Sequence, residues 1–252
     1  YATAFAISRR TKQELIVDIS AALNYKVPPL RLTELSCTCI YEDRSFFLEK
    51  YLYSSIIPHL IRKTIMPGYY IEKDLLYDNG SDCSSYGKKI VGYFQSEKYF
   101  SDYRKDLINE FKPKAEFNQY QTEMRNLIRQ NQSCSVHIRR GDYISNISAN
   151  NTHGVCSSEY FAKAIRYFES NRIANSNFTL FVFSDDIEWC EKNITFPYRT
   201  VFVQGDDERV ELDMWLMSLC NHNIISNSSF SWWGAWLNEN TDKKVIAPQQ
   251  WF

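Results

Sequence analysis

No run of about 18 consecutive apolar residues occurs in the 252 of this chain, so nothing in it reads as a helix spanning a membrane. A signal-peptide pattern is also missing. Neither sign of charge is in excess. Lys plus Arg number 29, Asp plus Glu 30, and the formal charge is −1, which argues against nucleic acid as a partner. No C-x-x-C occurs among the seven cysteines, 37, 39, 83, 134, 156, 190 and 220, so zinc-ligand spacing is absent and no metal site is expected. Their odd number, and the apolar settings of Cys134 and Cys220, fit reduced buried thiols and a cytoplasmic protein. Neither G-x-x-x-x-G-K-[ST] nor G-x-G-x-x-G is found, which excludes a P-loop and a dehydrogenase-type dinucleotide site. Repeats and low-complexity tracts are absent.

Aromatic residues are abundant, with 17 Tyr, 16 Phe and 6 Trp. Interior packing explains them, and sugar-stacking surfaces are the sharper alternative. The opening "YATAFAISRRTKQ" reads as a helix already under way, followed by a strand "ELIVDIS", and leads us to expect a chain that begins inside a larger protein. A long amphipathic stretch, "SFFLEKYLYSSIIPHLIRKTI", carries Pro58, which should break or kink it. "KIVGYFQSEKYF" reads as strand and turn, and a helix is expected at roughly 115–131. The second half alternates more cleanly. Strands at 134–140, 178–184, 199–204, 222–226 and 243–248 are separated by helices at 157–171, "DIEWCEKN", 207–220 and 228–240. Apolar strands alternating with helices predict a parallel, doubly wound sheet, whose ligands bind beyond the carboxyl ends of the strands.

Three strand ends carry chemistry. In "CSVHIRRGDY", Val136 and Ile138 share one face with Arg140, while His137 and Arg139 share the other, toward the ligand crevice. A guanidinium fork suits phosphate oxygens, so one arginine reads as an anion ligand. A turn salt bridge of Arg139 or Arg140 with Asp142 is the bland alternative, and His137 by itself reads more readily as a satisfied core histidine. In "FVFSDD", Asp185 and Asp186 stand where a helix starts, as N-caps first and as a weak metal pair second. In "IISNSSFSWWGAW", Asn227, Ser228 and Ser229 lie between an apolar strand and a helix. Phe230, Trp233, Gly234 and Leu237, spaced i, i+3, i+4, i+7, are expected to pack that helix on the sheet. Its N-terminus offers free N–H groups and a positive dipole end to an anion, unless the serines merely cap it. Taken with the arginine, the anion reading is the better one: a phosphorylated ligand, a nucleotide in class.

These segments resemble a family. "VHIRRGDY", "LFVFSDDIEWC", "ELDMWLMSLCNHNIISNSSFSWWGAWL" and "VIAPQQWF", with "VGYFQSEKYF" at 91–100, are similar in order and spacing to the bacterial α-1,2-fucosyltransferases of glycosyltransferase family 11. The resemblance implies a GT-B architecture: two Rossmann-like α/β domains facing a cleft. We expect residues 1–125 on the acceptor side and 126–252 binding the GDP-sugar. It also implies metal-independent, inverting transfer from GDP-β-L-fucose to the 2-OH of a terminal galactose, as in O-antigen or H-type glycan synthesis, with no cofactor. Fucosyl transfer of another linkage or to a protein, or a non-catalytic nucleotide-sugar module, are the alternatives. By the same matching, Arg139 holds the pyrophosphate and Arg140 supports the loop. His137 and Asp213 meet the guanine, whose N1–H and N2–H₂ donors suit a carboxylate. Asn227, Ser228, Ser229 and Phe230 complete the donor site. Asp142 and Asp185 are candidates for the general base. The family's first strand and Gly-rich loop have no counterpart in the sequence. The partners expected are GDP-fucose and a galactose-terminated oligosaccharide, in the cytoplasm and peripheral to a membrane carrying glycolipid acceptors.

Overall fold

A computed structural model describes residues 1–20, 22, 30–43, 68–72, 76–78, 89–140 and 156–249. The amphipathic stretch around Pro58, Cys83, Gly141 and Asp142 lie outside them. The chain divides into two units, Tyr1–Lys112 and Pro113–Phe252. That division falls earlier than the expected 125/126, and the reason is the helix α3 introduced below.

The first unit opens with helix α1 (Ala2–Thr11), which ends on Lys12 in the left-handed conformation, φ 55°. Strands β1 (Ile16–Asp18) and β2 (Ile40–Glu42) pair in parallel, and so do β3 (Tyr69–Ile71) and β4 (Lys89–Val91). The described residues therefore show two short parallel pairs. Lys89 Nζ donates to Asp18 Oδ2 at 2.6 Å, tying β4 to β1. Helix α2 (Arg104–Glu110) ends in buried Glu110, whose carboxylate accepts the Tyr1 hydroxyl at 2.6 Å and the Thr38 hydroxyl.

The second unit begins with α3 (Gln119–Gln130). A reciprocal capping box sets its start: Asn118 Oδ1 accepts Gln121 N–H at 2.9 Å, and Gln121 Oε1 accepts Asn118 N–H at 3.0 Å. Its Ile128 is fully buried among Phe181, Phe183 and Leu216, so α3 belongs to the second core. The sheet strands are β5 (Gln132–Ile138), β6 (Phe178–Ser184), β7 (Arg199–Phe202), β8 (His222–Ile224) and β9 (Val245–Ile246). All pair in parallel, in the order β7-β6-β5-β8-β9. Between the strands run α4 (Ser158–Ser170), α5 (Ile187–Asn193), α6 (Val210–Ser218) and α7 (Ser229–Leu237).

Strand parity sorts the core. Cys134, Val136 and Ile138 of β5, with Leu180 and Val182 of β6, face Phe161, Ile165 and Phe168 of α4 and Cys190 of α5. Phe181 and Phe183 face the other way, onto Ile128, Leu216 and Met217. Helices thus cover both faces, and the second unit is a doubly wound α/β layer, as its alternating sequence predicts. The order reverses beside β5. The chain first winds out through β6 and β7, then returns through α6 to place β8 on β5's free side, which makes the β5/β8 gap the topological switch point.

One expectation shifts. In α7 the deeply buried residues are Ser231, Gly234, Ala235, Trp236 and Leu237, while Phe230 and Trp233 are half-buried. Small side chains permit the closest approach: a Cβ on Gly234 would stand 3.0 Å from Met217 Cβ of α6. A buried polar network braces the same corner. Asn223 Nδ2 donates to Ser135 Oγ (2.7 Å) and Met217 O (2.9 Å), and Asn238 Nδ2 donates to Cys220 O (2.7 Å) and Asn223 Oδ1 (2.8 Å).

Candidate functional site

The carboxyl ends of the parallel strands bring the predicted residues to one edge of the second unit. β5 ends at Ile138, so Arg139 and Arg140 lie beyond the ladder, not in it as expected. The backbone leaves the sheet because Arg140 N–H donates to Asp185 Oδ1 at 2.8 Å. The other oxygen, Asp185 Oδ2, pairs with Arg139 Nη1 at 3.2 Å. Arg140 takes different partners: its Nε lies 3.4 Å from Asp186 Oδ2, and its guanidinium carbon sits 3.2 Å from the Trp189 ring centroid. Trp189 packs against the Val136/Ile138 cluster, so Arg140 keeps the face that alternation assigned to it. The acid partners shown here come from the β6–α5 turn.

That turn is itself well held. Ser184 Oγ donates to Ile138 O at 2.7 Å and accepts Asp186 N–H at 3.0 Å. Asp186 caps α5, its Oδ1 accepting Trp189 N–H at 3.3 Å, as the N-cap reading of "SDD" requires. Among the described residues no group of three or more His, Cys, Asp or Glu side chains is disposed to hold a metal ion. Both oxygens of Asp185, the one general-base candidate among the described residues, are turned to the arginines. Asp142, the other candidate, lies outside the described residues.

His137 points to the opposite face. Its ring lies 5.7 Å from that of Phe230 on α7, and it is 3% exposed. Burial, then the nearby Arg139 charge, pull its pKa down to about 3, so the imidazole is neutral. Its Nδ1 is buried with no hydrogen-bond partner among the described residues.

At the end of β8, Ser228 occupies the N-cap of α7 yet makes no side-chain cap bond. Its carbonyl accepts Trp232 N–H at 3.0 Å and the Ser231 hydroxyl at 3.2 Å. Plain serine capping is therefore not what this terminus shows. Asn227 is buried and its Oδ1 accepts the Cys156 thiol at 3.7 Å, whereas Ser229 is exposed. The corner is braced by Tyr160, whose hydroxyl lies 2.6 Å from Ile225 O and 3.0 Å from Ile246 O.

Asp213 stands apart, in the first turn of α6 beyond β7. Burial above all, then the negative charges of Asp206, Glu211 and Asp207, raise its pKa to about 7, against the opposing pull of an Asp206 N–H bond. Gly205 lies against it, where a Cβ would come within 3.0 Å of Asp213 Oδ2. Tyr120 of α3 holds the same loop, its oxygen accepting Gln204 N–H at 2.8 Å.

Sequence reasoning placed Ser184 at the helix start without a role for it, and missed Trp189, Tyr160 and Tyr120, which also hold the site's own residues in place. Only Trp189 left a signal, an aromatic three positions after the capping Asp186.

A doubly wound sheet that brings arginines and an uncapped helix N-terminus to the carboxyl ends of its strands is an arrangement suited to an anionic ligand. Comparison with known proteins makes the class specific. The profile described as glycosyl transferase family 11 matches residues 62–251. Over its whole length the chain is 36% identical to an alpha-1,2-colitosyltransferase of Escherichia coli, covering 87% of that protein. It is likewise 32% identical to the O-antigen biosynthesis glycosyltransferase WbnK of Escherichia coli, covering 90% of it. A galactoside alpha-(1,2)-fucosyltransferase 1 of Leontocebus fuscicollis is 33% identical over 104 residues, 40% of this chain and 28% of that protein. The chain belongs to glycosyl transferase family 11, and is a glycosyltransferase.

Proposed function

We propose that the protein transfers L-fucose, with inversion, from GDP-β-L-fucose to the 2-OH of a terminal galactose, within a GT-B arrangement whose donor half is the second unit. The observation that supports this is the switch-point edge, where Arg139 follows the end of β5 and the uncapped N-terminus of α7 follows β8, the strand paired with it. In the transfer, the galactose hydroxyl attacks the anomeric carbon from the side opposite GDP. The anomeric C–O bond breaks, its electron pair goes to the pyrophosphate, and the hydroxyl proton leaves to a general base, for which Asp142 is the proposed candidate, or to water. On this reading Arg139 and the N–H groups of α7 stabilise that growing charge, a role in which one donor is worth roughly 10²–10³ in rate. No metal is required on this reading, and turnover should survive excess EDTA. A loss restored by Mn²⁺ would sink that part.

Asp213 and His137 are the proposed readers of guanine. An anionic carboxylate accepts the paired N1–H and N2–H₂ donors that uracil lacks. GDP should therefore be preferred to UDP, and equal affinities by calorimetry would remove the guanine assignment.

A second sugar has a specific observation behind it. The E. coli relative that is 36% identical over the whole chain is named for colitose, the 3-deoxy counterpart of fucose. The deciding experiment offers GDP-fucose and GDP-colitose in turn, with a panel of galactosyl acceptors, and assigns the product linkage by NMR. Fucose joined to O2 of galactose supports our reading. Turnover with GDP-colitose alone replaces the donor and keeps the rest. We place the enzyme in the cytoplasm, at the face of a membrane carrying glycolipid acceptors.

A further inference from the structure

We propose that Asp185 is the positioning residue for Arg139: its carboxylate orients the guanidinium that receives the donor's pyrophosphate, and it does not act as the proton acceptor. The inference rests on the GDP-sugar reading above and assigns a role inside that site.

The two acids of the β6–α5 turn divide their work. Asp186 serves Arg140 through its Nε, at 3.4 Å, and caps α5 through Trp189 N–H, at 3.3 Å. Arg140 is further fixed by lying 3.2 Å over the Trp189 ring. Arg139 is shown paired with Asp185, at 3.2 Å, and Asp185 also grips the next peptide through Arg140 N–H, at 2.8 Å. One carboxylate therefore fixes both the side chain of residue 139 and the backbone that follows it. The turn carrying that carboxylate is anchored to β5 by Ser184 Oγ on Ile138 O, at 2.7 Å. The result is a chain of short polar contacts from the last peptide of β5 to the arginine fork.

Such a carboxylate could either compete with the pyrophosphate for Arg139 or prepare Arg139 for it. Three facts favour preparation. A guanidinium has five N–H donors, so pairing through Nη1 does not exhaust it. Arg139 also follows the last ladder residue, where a long side chain without a tether would lose much rotamer freedom on binding an anion. The pair is partly exposed, at 32% and 23%, so solvent screens the competing attraction. A general base, in contrast, must present an oxygen to the acceptor hydroxyl, and both Asp185 oxygens face the arginine turn.

Asp185→Asn separates the two roles, because the amide oxygen can still accept Arg140 N–H while the charge facing Arg139 is gone. GDP affinity by calorimetry should fall at least tenfold, about 1.4 kcal/mol. In an Arg139→Lys background the same change should cost less than threefold, because its effect passes through Arg139. Asp185→Glu should restore part of the affinity. Asp186→Asn is the control, expected to lower the melting temperature and leave GDP affinity within twofold. The proposal is overturned if Asp185→Asn binds GDP as the wild type does, whether or not turnover and its pH limb are lost. It is overturned equally if the effects of Asp185→Asn and Arg139→Lys are additive. Failure of the wild type to bind GDP would instead remove the GDP-sugar reading, a separate result.

Discussion

Replacing Arg139 and Arg140 by lysine, one at a time, should give two different failures. Arg140 is held mainly by structure: its guanidinium lies 3.2 Å from the Trp189 centroid, its Nε is 3.4 Å from Asp186, and its side chain is 15% exposed. A stacked cation is worth about 0.5–2 kcal/mol depending on desolvation. The Asp186 pair, 38% exposed on the acid side, adds at most about 1 kcal/mol. Lysine keeps the charge and part of both contacts but cannot lie flat on an indole. Arg140→Lys should therefore lose about 1–2 kcal/mol, a fall of about 2–8 °C in melting temperature for a protein of this size. Its GDP affinity should stay within threefold. Arg139→Lys loses the planar fork offered to the pyrophosphate, so kcat/KM and GDP affinity should fall at least tenfold, about 1.4 kcal/mol, with melting shifted by less than about 2 °C. The assays are differential scanning calorimetry, titration calorimetry with GDP, and initial rates. If the stable variant at 139 turns over normally while a well-folded variant at 140 is inactive, the facial argument fails and Arg140 is the phosphate ligand.

Donor affinity should depend on pH through Asp213. Its pKa near 7, set first by burial and then by Asp206, Glu211 and Asp207, means the acceptor form is lost as pH falls through 7. GDP-fucose should bind about tenfold more weakly at pH 6 than at pH 8, and Asp213→Asn should flatten the profile; a flat wild-type profile refutes the guanine contact. The stability effect has the opposite sense. A carboxyl whose folded pKa is raised stabilises the fold at low pH and loses that contribution as pH rises through about 7, so Asp213→Asn should raise the melting temperature at pH 8. Gly234→Leu should force α7 off Met217 and cost about 1–3 kcal/mol, read by urea unfolding. An unchanged midpoint would show that the α6–α7 contact gives way freely.

The sequence predicted some elements to the residue, as for β6 at Phe178–Ser184, where a run of alternating buried side chains has no competing signal. β5 was misplaced by two residues at its end, because two arginines extend the alternation but take their hydrogen bonds from another turn. The packing of α7 was half legible: Gly234 and Leu237 were expected, but Ser231 and Ala235 are small, and hydrophobicity does not mark a residue that is buried for being small. The unit boundary was missed because α3 reads as an ordinary amphipathic helix whichever core receives it. Asp185 and Asp186 were visible as a pair, but their division between two arginines depends on side chains 46 residues apart in each case.

The pairing of β5 with β8 has a consequence for biosynthesis. Ser135 and Asn223, which meet across it, are 88 residues apart, so their contact forms only after a long excursion of chain has been made. β5 and β6 become available together earlier, and form the larger part of the sheet. A nascent chain emerging from the ribosome can thus hold the arginine turn while lacking the β8 wall and the α7 terminus opposite it. Nucleotide capture should begin abruptly, once Asn238 has emerged and closed its bonds to Cys220 and Asn223.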